Sequence, residues 1–236
     1  SKSMTIHRFY VPEGFPLGGE AAITGGEHHH LSRVLRLRSP TESGQAGDAV
    51  VLFDGRGLAA RGRILDVGRS ITRVETEREA LPANESPVRT VLLQALPKAA
   101  KMDFVVEKAV ELGVAEIIPV LTERGDVKLA PTQAAGAEPG LARLNGGEER
   151  RANRRPDRRT ERWRRIAVAA AKQCERAVVP LIHPPAEFRD AAERVEAERK
   201  FILCPAPRSS RGSVAVGAPP RSVALAVGPE GGLTEE

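Results

Sequence analysis

The chain has 236 residues, of which 41% are hydrophobic and 3% aromatic, so its core is expected to be packed mainly by aliphatic side chains and alanine. Its 36 Lys and Arg residues outnumber its 31 Asp and Glu residues, and the net charge of +5 is compatible with a nucleic-acid partner or with an arginine-rich proteome. No apolar run reaches the ~18 residues that cross a membrane, no secretory signal opens the chain, and the two cysteines lack disulfide or metal-ligand spacing. A soluble, cytoplasmic protein is expected.

The first part of the chain has the pattern of short strands joined by turns. The clearest strand, 49–53, ends at Asp54-Gly55, and two further strands are predicted at 57–67 and 70–77. This pattern predicts a small β-barrel domain over residues 1–82, and the Pro-rich stretch that follows predicts a linker at 83–88.

Two basic segments of this domain could contact a polyanion. His7 and Arg8 precede Phe9 and Tyr10, a combination that can hold a phosphate and stack a nucleobase, although these aromatic rings could equally pack in the barrel. In the segment His28–Arg38, the residues Leu31, Val34 and Leu35 have helical spacing and predict an apolar face, while Arg33 and Arg36 share another face. The adjacent histidines 28–30 cannot converge on one ion, so no metal site is expected.

From residue 89 onward, apolar strands alternate with amphipathic helices. Strands are predicted at 88–95, 117–121, 201–204 and 223–227, with helices at 102–113 and 162–176. This alternation predicts an α/β domain with a mostly parallel sheet over residues 89–236. A stretch at about 130–160, rich in Arg, Gly and Ala, is predicted to be a flexible surface insertion whose arginines either touch RNA phosphates or form a solvated linker.

The last predicted strand ends at a glycine-rich loop. The run 223–227 stops at Gly228-Pro229-Glu230-Gly231-Gly232, and ligands of open α/β sheets bind in loops of this kind, outside the carboxyl ends of strands. The loop has neither the phosphate-loop nor the dinucleotide spacing, and an ordinary strand-to-helix turn is the alternative. Lys98 and Lys101 follow the strand 88–95, where they face either a polyanion or solvent. Because no catalytic triad and no hydrolytic acid pair stands out, an enzyme that binds and positions its substrates is favoured.

Taken in chain order, several stretches resemble one family, the 16S ribosomal RNA (uracil-N3)-methyltransferases of the RsmE type in the SPOUT superfamily. These stretches cover most of the chain and are His7–Val11, His29–Arg36, Leu52–Gly55, Lys98–Phe104, Glu107–Gly113, Thr122–Arg124, Ala170–Cys174 and Val227–Gly232. Each match is modest alone, whereas all of them in this order are highly specific.

The resemblance implies an α/β fold in which a small PUA-like β-barrel domain precedes a SPOUT-type trefoil-knot domain that binds S-adenosylmethionine and forms a homodimer. The implied cofactor-binding residues are Leu203, Cys204, Pro205, Gly228, Pro229, Glu230, Gly231 and Gly232. The implied contacts with 16S ribosomal RNA in the 30S subunit come from His7, Arg8, Arg33, Arg36, Lys98, Lys101, Arg124 and Arg176. Glu230 and Arg8 are the candidate catalytic residues, and no metal is implied.

The chain departs from the family in ways that bear on function. The family continues beyond the position of Glu236 with a third cofactor loop and a final helix, so the C-terminal part of the methyltransferase domain is expected to be missing here. Lys172 stands where the family usually has Glu, so a role for an acid there is not carried over. Two alternatives remain open: a SPOUT methyltransferase acting on another RNA such as transfer RNA, and a non-catalytic RNA-binding protein with a degenerate methyltransferase domain.

Overall fold

The computed structural model of the protein describes residues 6–97, 101–122, 158–203 and 218–229, and elements are numbered along these residues. The chain divides into two compact units, the first formed by Ser1–Ser86 with Ala167–Pro180 and the second by Pro87–Ile166 with Leu181–Glu236. The segment Ala167–Pro180 clusters with the N-terminal part rather than with the predicted second domain. The backbone explains this, because Val179 donates a hydrogen bond to the carbonyl of Gly55 over 2.9 Å and Gly57 donates one to Ala177 over 3.3 Å.

The first unit is built on a five-stranded sheet with the order β1-β3-β4-β5-β2. Its strands are β1 (His7–Tyr10), β2 (Glu20–Thr24), β3 (Ala49–Phe53), β4 (Ala59–Val67) and β5 (Ile71–Ala80). Strands β1 and β3 are parallel, while the other pairs are antiparallel. Alternate residues point to one side, so Phe9, Leu52 and Val74 join a single buried core. The curled sheet agrees with the predicted barrel.

A short helix, α1 (Gly25–His29), continues directly into a π-helix at His30–Leu35. Its geometry differs from the predicted amphipathic helix, because Leu31 is buried whereas Val34 is 61% exposed. A π-helix has more residues per turn than an α-helix, so a face assigned from α-helical spacing does not hold. The segment is anchored by buried His28, whose Nδ1 lies 2.9 Å from the hydroxyl oxygen of Thr72.

The second unit contains a parallel sheet with the order β10-β11-β6-β7-β8, to which β9 adds by pairing with β7. The strands are β6 (Arg89–Ala95), β7 (Glu116–Leu121), β8 (Leu181–Ile182), β9 (Ala186–Glu187), β10 (Arg199–Leu203) and β11 (Ser222–Val227). The helices are α2 (Lys101–Glu111), α3 (Arg158–Gln173) and α4 (Phe188–Arg194), of which α3 belongs to the first unit from Ala167 onward. The predicted α/β class with a parallel sheet is confirmed.

The buried residues of β6 and β7 point to both sides of this sheet, as expected of parallel strands covered on both faces. Val91, Leu93 and Val120 pack with Ala191 of α4, while Ile117 is fully buried on the alternate side. Within the described residues, no helix is long and apolar enough to cross a membrane.

Helix α3 corrects two boundaries. It begins at Arg158, so the last three residues of the predicted insertion at about 130–160 are its first turn. It ends at Gln173 rather than Arg176, because Glu175 has φ 62 and cannot continue a helix. The rest of the predicted insertion and the segments 204–217 and 230–236 lie outside the described residues.

Candidate functional site

The carboxyl ends of four parallel strands meet at one edge of the sheet in the second unit. The last paired residue of β10, Leu203, is in register with Val227 of β11, which is in turn paired with Gln94 of β6. Ala95 of β6 is paired with Val120 near the end of β7. The chain therefore leaves neighbouring strands at this edge, the position at which open α/β sheets bind their ligands.

Three of the predicted cofactor-binding residues lie at this edge. Leu203 ends β10, and Gly228 and Pro229 directly follow β11. The other five lie outside the described residues: Cys204, Pro205, Glu230, Gly231 and Gly232.

This edge has exposed apolar side chains beside buried polar groups. The side chains of Ile202 and Leu203 are 57% and 56% exposed, although both are large and hydrophobic. Gln94 is buried, and its side-chain amide donates to the carbonyl of Ala95 over 2.9 Å. Directly after β7, the hydroxyl of Thr122 is buried without a hydrogen-bond partner, a condition that calls for an explanation such as a ligand.

Helix α2 begins at the same edge. Its first residue, Lys101, is exposed, in keeping with the predicted RNA contact, whereas Lys98 and Arg124 lie outside the described residues. In the first turn of α2, the carboxylate of Asp103 accepts hydrogen bonds from Arg162, with 3.0 Å between Nε and Oδ2. This pair ties α2 to α3 within the second unit.

In the first unit, the predicted catalytic residue Arg8 is half-buried on β1. Its guanidinium donates to the backbone carbonyl of Arg176 over 3.1 Å and lies 5.3 Å from the centre of the Phe53 ring. Its Nε is buried without a hydrogen-bond partner. Burial lowers the pKa of Arg8 from its usual value, and the charge of nearby Glu175 opposes that shift.

Arg176, predicted to contact RNA, is 4% exposed and is used inside the unit. Its guanidinium binds the carboxylate of Glu85, with 2.7 Å between Nη2 and Oε2, and the other oxygen of Glu85 accepts the backbone N–H of Val178 over 3.1 Å. A buried, paired guanidinium has no free face for a phosphate. Its burial therefore disfavours the predicted RNA contact and gives Arg176 a structural role.

The remaining predicted RNA contacts are at the surface of the first unit. Arg33 lies in the π-helix, and Arg36 follows it with φ 53, in the left-handed region that residues other than glycine seldom adopt. Both side chains are exposed, as those of a phosphate-binding surface must be. His7 is half-buried on β1.

Lys172, which stands where the resembling family has Glu, has a local partner. Its Nζ lies 2.5 Å from both carboxylate oxygens of Glu27 and 5.8 Å from the centre of the Phe9 ring. Glu27 also accepts the backbone N–H of Tyr10 over 3.3 Å. The ion pair fastens the end of α3 to α1, which accounts for a cation at this position.

Two residues with these structural roles were missed from the sequence: Glu27 and Glu85. They lack a local motif, since their partners are 145 and 91 residues away. Across residues 6–97, 101–122, 158–203 and 218–229, no group of three or more His, Cys, Asp or Glu side chains is placed to hold a metal ion.

Comparisons with known proteins agree on one family. The model of the RNA methyltransferase domain matches residues 84–138 and 137–236. A ribosomal RNA small subunit methyltransferase E from Synechocystis is 30% identical over 242 residues, covering 100% of this chain and 67% of that protein. One from Mycobacterium bovis is 30% identical over 238 residues, covering 99% of this chain and 79% of the relative.

A solved structure leads to the same family. The crystal structure of a ribosomal RNA small subunit methyltransferase E from Neisseria gonorrhoeae, bound to S-adenosyl methionine, superimposes with a TM-score of 0.72. It is 30% identical in sequence, and the match covers 98% of this chain and 83% of that one. The similarity therefore extends over both units of the fold.

Proposed function

The chain belongs to the family of ribosomal RNA small subunit methyltransferases E, and from that premise we propose that it methylates N3 of a specific uridine in 16S ribosomal RNA with S-adenosylmethionine as methyl donor. The observation that carries the proposal is the edge at which Leu203, Val227 and Ala95 end three neighbouring parallel strands. The assembled 30S subunit as substrate, the homodimer and the cytoplasmic location belong to the same proposal.

The residues at the sheet edge suit a cofactor that is both apolar and polar. The exposed side chain of Leu203 offers apolar surface, and the unpartnered hydroxyl of Thr122 offers a hydrogen bond. Gly228 and Pro229 place a backbone without a bulky side chain beside them. We assign the cofactor to these residues together with the predicted Cys204, Pro205, Glu230, Gly231 and Gly232.

Bound S-adenosylmethionine supplies a methyl group that is already activated on a sulfonium, so the protein's tasks are alignment and exclusion of water. The imide N3–H of uridine must also lose its proton before N3 can act as a nucleophile. A carboxylate can take that proton, and a guanidinium can stabilise the resulting anion. We assign the first role to Glu230, while Arg33, Arg36 and Lys101 hold the RNA backbone. The predicted catalytic role of Arg8 is not part of this assignment, because its half-buried guanidinium is held by the carbonyl of Arg176.

Calorimetric titration of S-adenosylmethionine and methyl transfer to 30S subunits test the proposal together. The variant Leu203→Ala is expected to weaken cofactor binding about 10-fold through the loss of apolar contact. The matched control Leu112→Ala changes another exposed leucine, one that follows the last residue of α2 and is 82% exposed, and should bind normally.

The alternatives predict different results. Methylation of transfer RNA instead of 30S subunits would show that the protein is a SPOUT methyltransferase with transfer RNA as its substrate. RNA binding without saturable cofactor binding by the folded chain would favour a non-catalytic RNA-binding protein. If Leu203→Ala binds the cofactor as tightly as the parent chain does, the cofactor does not bind at this edge of the sheet.

A further inference from the structure

A pocket of about 530 Å³ opens in the first unit, within the ~300–1,000 Å³ range of small-molecule sites. It lies on the face of the sheet opposite Phe9 and Leu52, since its strand residues alternate with those core residues. Every residue that lines it belongs to the first unit. The pocket therefore shares no residue with the cofactor edge described above.

The walls of the pocket combine polar side chains with an apolar part. Val51 and Ala59 form its floor, with 6% and 3% of their surface exposed, and Ile6, Leu81 and Ala177 complete the sides. Ile6 keeps 41% of its surface exposed although it is a large aliphatic residue. Aliphatic walls of this kind suit the faces of a planar heterocycle.

Two arginines flank the floor. The strand register pairs Arg8 of β1 with Val51 of β3, and pairs Val51 with Arg61 of β4, so the three residues form one row across the sheet. Side chains in one row point to the same face. Arg61 is exposed and Arg8 is half-buried, so the pocket has one guanidinium at its rim and another deeper inside.

Arg8 carries a donor that the protein leaves unused. Its guanidinium is held by the carbonyl of Arg176 and by the Phe53 ring, yet Nε is buried and unpartnered. Buried polar groups nearly always have a hydrogen-bond partner. Arg8 also lines the pocket, so a ligand there meets a cation that is already fixed by protein contacts.

The rim of the pocket adds an acceptor to these donors. Glu175 lines the pocket, is exposed, and has φ 62, a backbone conformation that glycine adopts without strain. Strained residues of this kind cluster at functional sites. Asn84, also at the rim, offers both a donor and an acceptor.

The geometry points to a binding site for one unpaired guanosine of the RNA substrate, distinct from the uridine that is methylated. Arginine donates to O6 and N7 of guanine, a carboxylate accepts from its N1–H and amino group, and the second arginine meets the phosphate. Uracil has no amino group for Glu175. This inference rests on the proposed function, because it takes RNA to be the substrate.

The test uses the full chain and guanosine 5′-monophosphate, with uridine 5′-monophosphate for comparison, in titrations followed by NMR. Guanosine monophosphate is expected to bind saturably and at least ~10-fold more tightly than uridine monophosphate. Binding that is absent from the folded protein, or equal for the two nucleotides, overturns the inference.

Two variants locate the site. Glu175→Gly removes the carboxylate and relieves the left-handed strain, so it should raise the melting temperature by about 1–3 °C while weakening guanosine monophosphate binding ~10-fold. Arg61→Ala should weaken binding to a similar degree. The control Arg63→Ala changes the next arginine on the same face of β4 and should bind as the parent chain does. Equal binding by all four proteins overturns the inference.

Methylation of 30S subunits by the same variants separates the two proposals. A raised KM for 30S subunits with unchanged kcat in Glu175→Gly supports the guanosine site. Normal methylation without nucleotide binding overturns the guanosine site and leaves the proposed function standing. Specific guanosine monophosphate binding without methylation of any ribosomal substrate supports the site and contradicts the proposed function.

Discussion

At the scale of single residues, the buried ion pair between Arg176 and Glu85 determines how the first unit is closed. The side chains are 5% and 19% exposed, and Glu85 also accepts a backbone hydrogen bond from Val178. A charge that loses its partner in such surroundings keeps its desolvation penalty without compensation. The pair holds the segment after α3 against the segment after β5.

We expect Glu85→Ala to lower the free energy of unfolding by about 2–4 kcal/mol, because it leaves the Arg176 guanidinium buried and unpaired. Urea denaturation followed by circular dichroism measures the change. The control is Asp190→Ala, which breaks the exposed pair with Arg194, whose side chains are 75% and 55% exposed, and should change stability by less than about 1 kcal/mol. A similar loss in both variants would contradict the role assigned to Glu85.

A second residue, Glu116, gives the second unit a dependence on pH. Burial opposes ionisation of Glu116, but hydrogen bonds from His183, at 3.1 Å, and from Arg89 outweigh it and lower the pKa of this carboxyl. Because the pKa is lower in the folded state, the stabilisation is present above the unfolded value of about 4.3. It is lost as the pH falls through the folded value.

We therefore expect the parent chain to lose more stability between pH 6 and pH 3.5 than Glu116→Gln does, since the amide cannot be protonated in that range. Urea midpoints at the two pH values measure the difference. The control Glu193→Gln changes an exposed residue of α4 and should lose as much stability between the two pH values as the parent chain does. Parallel losses in the parent chain and in Glu116→Gln would show that another group carries the acid sensitivity.

At the scale of elements, the pairing of β4 with β5 depends on a glycine at a close approach. The register between these strands shifts next to Gly62, and a Cβ added there would lie 2.6 Å from Cγ1 of Val74 and 2.8 Å from the carbonyl oxygen of Glu75. The carbonyl belongs to the backbone of the neighbouring strand and cannot turn away. The glycine lets the sheet curl around its core.

Gly62→Ala is expected to destabilise the first unit by about 1–3 kcal/mol through overpacking. Gly26→Ala is the matched control, because nothing lies within 4 Å of a Cβ built there and its φ is not left-handed. That change should alter stability by less than about 0.5 kcal/mol. Denaturation midpoints of the two variants decide the prediction, and equal midpoints would count against it.

At the scale of the whole molecule, the net charge of +5 favours a polyanionic substrate. Exposed arginines of the first unit, Arg33 and Arg36 among them, occupy surface that the core does not require. Lysine and arginine contacts with phosphates release counterions, so affinity falls as salt rises. The affinity of the protein for RNA is therefore expected to fall as the ionic strength rises.

We expect Arg33→Ala combined with Arg36→Asn to weaken binding to 30S subunits and to reduce the slope of log affinity against log salt by about 2. Asparagine tolerates the left-handed backbone at position 36, so folding is preserved. Arg194→Ala serves as the charge control. Filter binding between 50 and 200 mM salt gives the slopes. An unchanged slope would show that Arg33 and Arg36 do not contact the RNA.

Much of the architecture could be predicted because it is written in local patterns. The alternation of apolar strands and amphipathic helices predicted the parallel sheet, and the apolar run 223–227 predicted β11 with Gly228 and Pro229 at its end. The π-helix was not predicted, since α-helical spacing placed Val34 on the apolar face while the wider turn exposes it. Helix α3 ends at Gln173 because Glu175 adopts the left-handed conformation, which the helical spacing of the sequence did not indicate.

The sequence by itself determined the α/β class, the family, and the strand-to-loop junction proposed for the cofactor, because each depends on the order and spacing of neighbouring residues. Only the tertiary structure decided that Arg176 is buried against Glu85, that Lys172 pairs with Glu27, and that Arg8 and Arg61 share one row. These contacts join residues between 53 and 145 positions apart. Strand register and burial bring them together, and no local pattern encodes either.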